Sequence, residues 1–166
     1  MKIGLIDVDG HNFPNFALMK ISAYHKLQGD IVEWASPLFD EYDIVYKSKI
    51  FTFSPDENYP WKGKVIKGGT GYDIKSKLPE EIENCRELDY SIYPNCDYSI
   101  QFFSRGCIRK CPFCLVNEKE GFIHSVTPHS LNPNGKHIEV LDNNFFANPH
   151  WREAVDYLEA TGQYIK

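Results

Sequence analysis

Short apolar, β-branched runs punctuated by glycine and proline set the pattern of the first half of the chain. Lys2 to Val8 reads as a buried strand. Asp7-Val-Asp-Gly-His-Asn then makes a turn. Phe16, Met19, Ala23 and Leu27 recur at helical spacing with Lys20 and Lys26 interspersed, which predicts a helix capped by Asn15 or Asn12 and stopped by Gly29. Ile31 to Ala35, Asp43 to Lys47 and Lys64 to Lys67 read as three further strands. Strand–helix–strand alternation at this spacing predicts an α/β unit with a mostly parallel sheet. One step is irregular. About five residues join the second and third strands, fewer than a crossover helix needs, so a helix is missing or a strand is misread. Pro79 to Arg86 predicts a short helix with proline at its first position.

The pattern weakens between Cys85 and Cys96, where turn formers mix with aromatics. Residues 89–97 are therefore expected to connect a first domain, 1–88, with a second, 98–166. Tyr98 to Phe103 opens the second part as a strand, and His137 to Leu141 is the next. Asn148-Pro149 predicts a helix start by the cap-and-proline rule. Trp151, Ala154, Val155 and Leu158 form its apolar face, and Gly162 ends it. Tyr164-Ile-Lys begins a third strand.

Composition narrows the classes. A chain of 166 residues suits one domain, or one and part of another, and 42% hydrophobic residues are enough for a core. A net charge of -5 gives no global basic field for nucleic acid. The opening MKIGLIDVDG is broken by Asp7 and Asp9 and is too short an apolar run for a signal peptide or a membrane span. Five cysteines, three of them clustered, do not read as a disulfide framework, and a reducing cytoplasm is the expected home.

The cluster is Cys107-Ile-Arg-Lys-Cys111-Pro-Phe-Cys114, three thiols inside eight residues. Soft sulfur at this spacing selects zinc or an iron–sulfur cluster. Three thiolates would leave one iron of a [4Fe–4S] cluster open for a substrate or cofactor. A structural zinc site with His124, His129 or Cys96 as fourth ligand is the alternative. Cys85 and Cys96 lie outside the triplet and read as buried or incidental. Arg105, Arg109 and Lys110 surround the thiols. Cations there favour thiolate and offset a cluster's negative charge, or simply solvate the loop. Gly106 gives the backbone freedom beside Cys107.

The segment SRGCIRKCPFCLV, at the end of the Tyr98 to Phe103 run, resembles the cluster loop of radical S-adenosylmethionine enzymes. The resemblance implies that Cys107, Cys111 and Cys114 hold a [4Fe–4S] cluster. S-adenosylmethionine would chelate its unique iron and be cleaved reductively to a 5′-deoxyadenosyl radical. Phe113, the aromatic before the third cysteine, would pack by the adenine. Asp142, Asn143 and Asn144, after the His137 to Leu141 strand, would replace the family's Gly-Gly-Glu and meet the amino and carboxylate groups of the cofactor, or would simply form a loop and helix cap. An electron donor such as flavodoxin or ferredoxin is the implied partner, and the substrate is unknown. The family core is a partial barrel of six βα units, which need roughly 180 residues, and about 70 follow Tyr98. The expectation is an amino-terminal fragment with the first two βα units of an incomplete partial TIM barrel. An open barrel edge would favour self-association, disorder after the cluster loop, or repacking of the helix near Trp151 onto the first domain.

Three further motifs lie at the expected carboxyl ends of the first, third and fourth strands. Asp9-Gly-His11-Asn-Phe-Pro14, Ser48-Lys-Ile50 and Gly68-Gly69-Thr-Gly71 resemble, in that order, the DxHxxG, SxL and GG signatures of cobalamin-binding domains. Pro14 and Ile50 depart from them. The resemblance implies a Rossmann-like, cobalamin-domain-like first domain, with Asp9, His11, Ser48, Gly68 and Gly69 as a candidate cobalamin site. The alternative is that these are the turn residues any parallel sheet needs. Three functions follow: a radical S-adenosylmethionine enzyme portion, a cobalamin- or nucleotide-binding module, and a non-catalytic zinc-stabilised interaction protein.

Overall fold

The apolar runs of the first half become strands of one parallel sheet. They are β1 (Lys2–Asp7), β2 (Ile31–Trp34), β3 (Ile44–Ser48) and β4 (Lys64–Gly68), with helix α1 (Phe16–Leu27) between the first two. The computed structural model describes residues 1–39 and 41–166. The chain divides into two units, Met1–Pro94 and Asn95–Lys166, each with its own sheet. In the first, strand order is β2-β1-β3-β4 and all pairings are parallel, a Rossmann-like mixed α/β arrangement.

The irregular step between β2 and β3 has a geometric explanation. Both strands exist and flank β1, and among the described residues of the nine-residue connection the only regular structure is a 3-10 turn, Pro37–Phe39. Nine residues reach about 30 Å. The return path, two strand spacings across and one strand length back, is about 20 Å. A helix is therefore not required. The connection crosses β1 at its one glycine: a Cβ on Gly4 would sit 3.0 Å from Ala35 Cβ and 3.1 Å from the Tyr42 ring. Tyr42 is buried there and donates its hydroxyl to Glu33 at 2.9 Å.

Asn15, not Asn12, caps α1, accepting from Leu18 N at 3.3 Å. Of the expected stripe Phe16, Met19, Ala23 and Leu27, Met19 and Ala23 are buried, and Leu27 is corrected. Leu27 is 66% exposed, whereas Leu18, Met19, Ile21, Ser22 and His25 are buried. The helix is covered on more than one side, which blurs a single stripe. Tyr46 and Ser48 of β3 bond His25 and Asn15 on one side. On another, Ser22 and Lys26 bond Asp89, and Lys20 donates to Glu83 O. Short helix α2 (Glu80–Glu83) follows Pro79, which sits at its cap rather than inside it. Tyr90, Ile92 and Tyr93 are buried. The segment expected as a connector is therefore divided, its first part belonging to this unit's core.

The second unit holds β5 (Ser99–Gln101), β6 (Ser104–Arg105), α3 (Val116–Lys119), β7 (His124–Ser125), β8 (His137–Val140), α4 (Trp151–Thr161) and β9 (Tyr164–Ile165). β5, β8 and β9 form a parallel sheet in that order, and β6 pairs antiparallel with β7. Its core joins Phe103, Ile138, Ala154 and Leu158, with Leu131, Val140 and Phe145 packed against them. Helix α4 thus packs on its own sheet. Polar Ser99 and Gln101 are fully buried because their side chains bond the passing backbone at Asn132 and His129. The expected Asn148 cap is corrected: His150 is the cap. Asn148 is instead buried, accepting from Ser125 Oγ and donating to Phe103 O, which ties its amide to the sheet. Gly162 ends α4 in the left-handed region at φ 65°. No helix among the described residues is long and apolar enough to cross a membrane.

Candidate metal centre

The cysteine segment leaves β6 and returns on β7, so the antiparallel pair Arg105 with His124 forms its neck. Cys107 N donates to Gly121 O at 3.3 Å, and Val126 N to Phe103 O at 2.9 Å. Gly106 has φ +78°, and a Cβ there would lie 2.6 Å from the carbonyl oxygens of both Gly121 and Phe122. Only glycine fits that approach. Within the loop, Arg109 N points at Cys107 Sγ (3.4 Å), Cys114 N donates to Cys111 O (3.1 Å), and Asn117 Nδ2 donates to Arg109 O.

The three thiols are partly exposed. Among the described residues, no three His, Cys, Asp or Glu side chains come together closely enough to hold one metal ion. The donor chemistry nonetheless fits a sulfur-ligated cluster. Three soft thiols share one tethered segment with little regular backbone between Gly106 and Leu115, and a backbone N–H already faces one sulfur, as cluster sulfurs are commonly bonded. Of the alternative zinc ligands, His124 is at the neck, its Nδ1 against Phe122 O at 3.0 Å. His129 is bonded through its backbone to Gln101. Cys96 precedes the amino end of β5, whereas the loop follows its carboxyl end. Burial pushes the Cys96 thiol up, so it stays protonated.

The polar residues after β8 meet the loop through one side chain that periodicity does not mark. Asp142 accepts from Phe103 N at 2.8 Å and from Ser104 Oγ, so it joins the carboxyl ends of β8 and β5. Asn143 Nδ2 donates to Glu120 Oε2 at 3.1 Å. That same oxygen accepts from Gly106 N at 2.8 Å, while Oε1 pairs with the Arg105 guanidinium. Asn144 opens a 3-10 turn, Phe145–Ala147. Phe113 is 88% exposed. Glu120 escaped the sequence reading because its partners lie 14, 15 and 23 residues away.

In the first unit, the five motif residues sit at the carboxyl ends of β1, β3 and β4, where ligands of such sheets bind. As placed, they hold the loops to one another. Asp9 accepts from Ile50 N (2.5 Å), Phe51 N (3.2 Å) and Ser54 Oγ (2.6 Å). Burial raises its pKa, but these bonds and Lys49 outweigh it and hold the carboxyl low. His11 stacks on Trp34 with ring centroids 4.0 Å apart. Ser48 Oγ accepts from Asn15 Nδ2 at 2.9 Å. Gly68 O accepts from Lys49 N at 3.0 Å. Gly69 has φ +99°, and a Cβ there would meet Lys49 O at 2.3 Å. A recess of about 240 Å³ lies elsewhere, beside Lys2, Leu38, Phe39 and Tyr59 at the amino end of β1.

No family model matches the chain, and neither a curated protein nor a solved structure is significantly similar to it.

Proposed function

We propose that the chain works in radical S-adenosylmethionine chemistry, binding a [4Fe–4S] cluster through Cys107, Cys111 and Cys114. The observation that carries the reading is a CxxxCxxC segment with Phe113 before its last cysteine, on a loop at the carboxyl edge of a parallel sheet whose strands run in chain order. That edge is where βα folds build active sites. The thiolates would bind three irons and leave the fourth for the cofactor. When bound, the cluster supplies the electron that reductively cleaves the S-adenosylmethionine sulfonium.

The chain's own side chains then bind and orient. Phe113 offers an exposed ring to the adenine. Asn143 and Asn144 can donate to the cofactor carboxylate or accept from its ammonium. Asp142 keeps the ends of β5 and β8 together and retains free lone pairs for an ammonium. Arg105, Arg109 and Lys110 offset the charge of the thiolates. Flavodoxin- or ferredoxin-like donors fit as the electron source.

The same reading makes the first unit cobalamin-domain-like. Its order β2-β1-β3-β4 follows the flavodoxin-like winding through four strands, which is what supports it. Cobalamin passing unretained through gel filtration with the protein would remove the ligand from that unit.

The cluster is tested by anaerobic reconstitution with iron and sulfide. About four irons per chain, and an electron paramagnetic resonance signal of the reduced protein that changes with S-adenosylmethionine, are expected. Cys111→Ala should lose both. One zinc per chain, no iron and no change of signal would overturn the reading in favour of a structural zinc site.

A further inference from the structure

The thiols of the second unit lie on a segment whose two ends meet at a single carboxylate. Glu120 is largely buried, its side chain 16% exposed. It reaches three separate pieces of chain: the Arg105 guanidinium on β6, the Gly106 N–H one residue before Cys107, and the Asn143 amide beyond β8. A charged acceptor taking several N–H bonds at once makes the strong kind of hydrogen bond.

Three features fit a carboxylate in this role. First, its charge is needed. Arg105 lies with its guanidinium 4.3 Å from the Phe102 ring centroid, and Glu120 is the anion it pairs with. A glutamine would turn either its oxygen or its NH2 toward that cation. Second, its fork is needed, because one oxygen serves Arg105 while the other serves Gly106 and Asn143. Third, the backbone beneath it is already closed to side chains, since Gly106 packs on Gly121 O and Phe122 O. The neck is therefore held twice, by backbone contact and by the carboxylate. Pairing with Arg105 also neutralises Glu120, so it adds little repulsion when thiolates gather nearby.

We propose that Glu120 is the positioning residue of the cysteine loop: its carboxylate latches the segment 106–119 into a closed ring and fixes that ring to the end of β8 through Asn143. What the ring holds rests on the cluster reading above, but the latch itself belongs to the apo chain. It does not ligate metal and acts only through the backbone that carries Cys107.

The test uses the full-length apo protein. Alkylation of each cysteine by iodoacetamide is followed by peptide mass spectrometry, alongside amide exchange. In Glu120→Ala, Cys107 alkylation should rise about tenfold, the factor implied by losing one hydrogen bond to a charged group. Exchange should rise across Gly106–Phe122 and not at Ile100 or Ile138. Glu120→Gln, which preserves size, should give a smaller rise. The swap Arg105→Glu with Glu120→Arg should recover part of the protection that Arg105→Glu alone loses. Unchanged Cys107 rates and unchanged loop exchange in both Glu120 variants would overturn the latch. So would a uniform loss of protection in β5 and β8 in both variants, which would make Glu120 a general fold residue. Iron content after reconstitution is read separately. Wild-type protein that takes no iron would end the cluster reading while leaving the alkylation result to decide the latch.

Discussion

Two aspartates of the first unit are driven in opposite directions by their surroundings. Burial raises the Asp89 carboxyl, but hydrogen bonds from Lys26, Ser22 and Ser91 outweigh it, and the net shift is downward from 3.8. Burial also raises Asp7, and there the Tyr93 hydroxyl at 2.7 Å does not compensate, so the net shift is upward. The consequences for stability have opposite signs. Asp89 contributes stability that is complete above its unfolded pKa and is lost as pH falls through its lower folded value. Asp7 makes stability fall as pH rises from its unfolded pKa through its higher folded value, because the folded state holds the proton more tightly. Urea unfolding measured from pH 3 to pH 7 separates them. Asp89→Asn should cost about 2 kcal/mol at pH 7, and the gap to wild type should shrink in acid. Asp7→Asn, which can still accept from Tyr93, should match or exceed wild type at pH 7 and lose its advantage in acid. An Asp7→Asn protein that is less stable at neutral pH would mean that the ionised carboxylate is favoured there.

Elements are held where a small residue or a buried polar side chain lets two segments meet, and this decides what a sequence displays. Gly106→Ala puts a Cβ in a left-handed backbone and 2.6 Å from two carbonyl oxygens. It should destabilise the second unit by about 1–3 kcal/mol, seen as a lower melting temperature and faster exchange at the β6–β7 neck. Leu158→Ala in α4 opens the core against Phe103 and Ile138 and should cost about 2–5 kcal/mol. The loss should fall on amides of β5 and β8, and exchange limited to α4 itself would argue that the helix is only loosely attached. The strands β1 to β4 were legible because each carries a short apolar, β-branched run, although only β1 and β3 contain buried positions. The helix-free crossing from β2 to β3 was not, since it depends on Gly4 receiving Ala35 and Tyr42 from elsewhere in the chain. The face of α1 was misread for a related reason: Asp89 and Glu83 cover it from far along the chain. In the site, the thiols and Phe113 were legible from spacing. Glu120 was not, and Asp142 and Asn148 were named for other roles than the struts they are, because a hydrogen bond between distant residues leaves no periodic trace.

At the scale of the molecule, an unpaired strand edge is a chemical feature in its own right. Among the described residues, β9 has β8 on one side and no strand on the other. Its side chains Tyr164 and Ile165 are 69% and 40% exposed. A row of open N–H and C=O groups beside exposed apolar side chains is a template for another strand. The net charge of -5 opposes close approach only weakly at physiological salt, where charges are screened beyond about 8 Å. The chain should therefore associate through this edge as concentration rises. Sedimentation velocity over a hundredfold concentration range should show a growing fraction of dimer and larger species. Ile165→Lys places a charge on the edge, beside its register partner Ile138 on β8, and it should shift that range upward by about tenfold. If wild type and Ile165→Lys associate alike, the contact lies on another surface. The exposed Ile108, Phe113, Leu115 and Phe122 around the cysteine loop would then be the place to look, and association should disappear once those side chains are made polar.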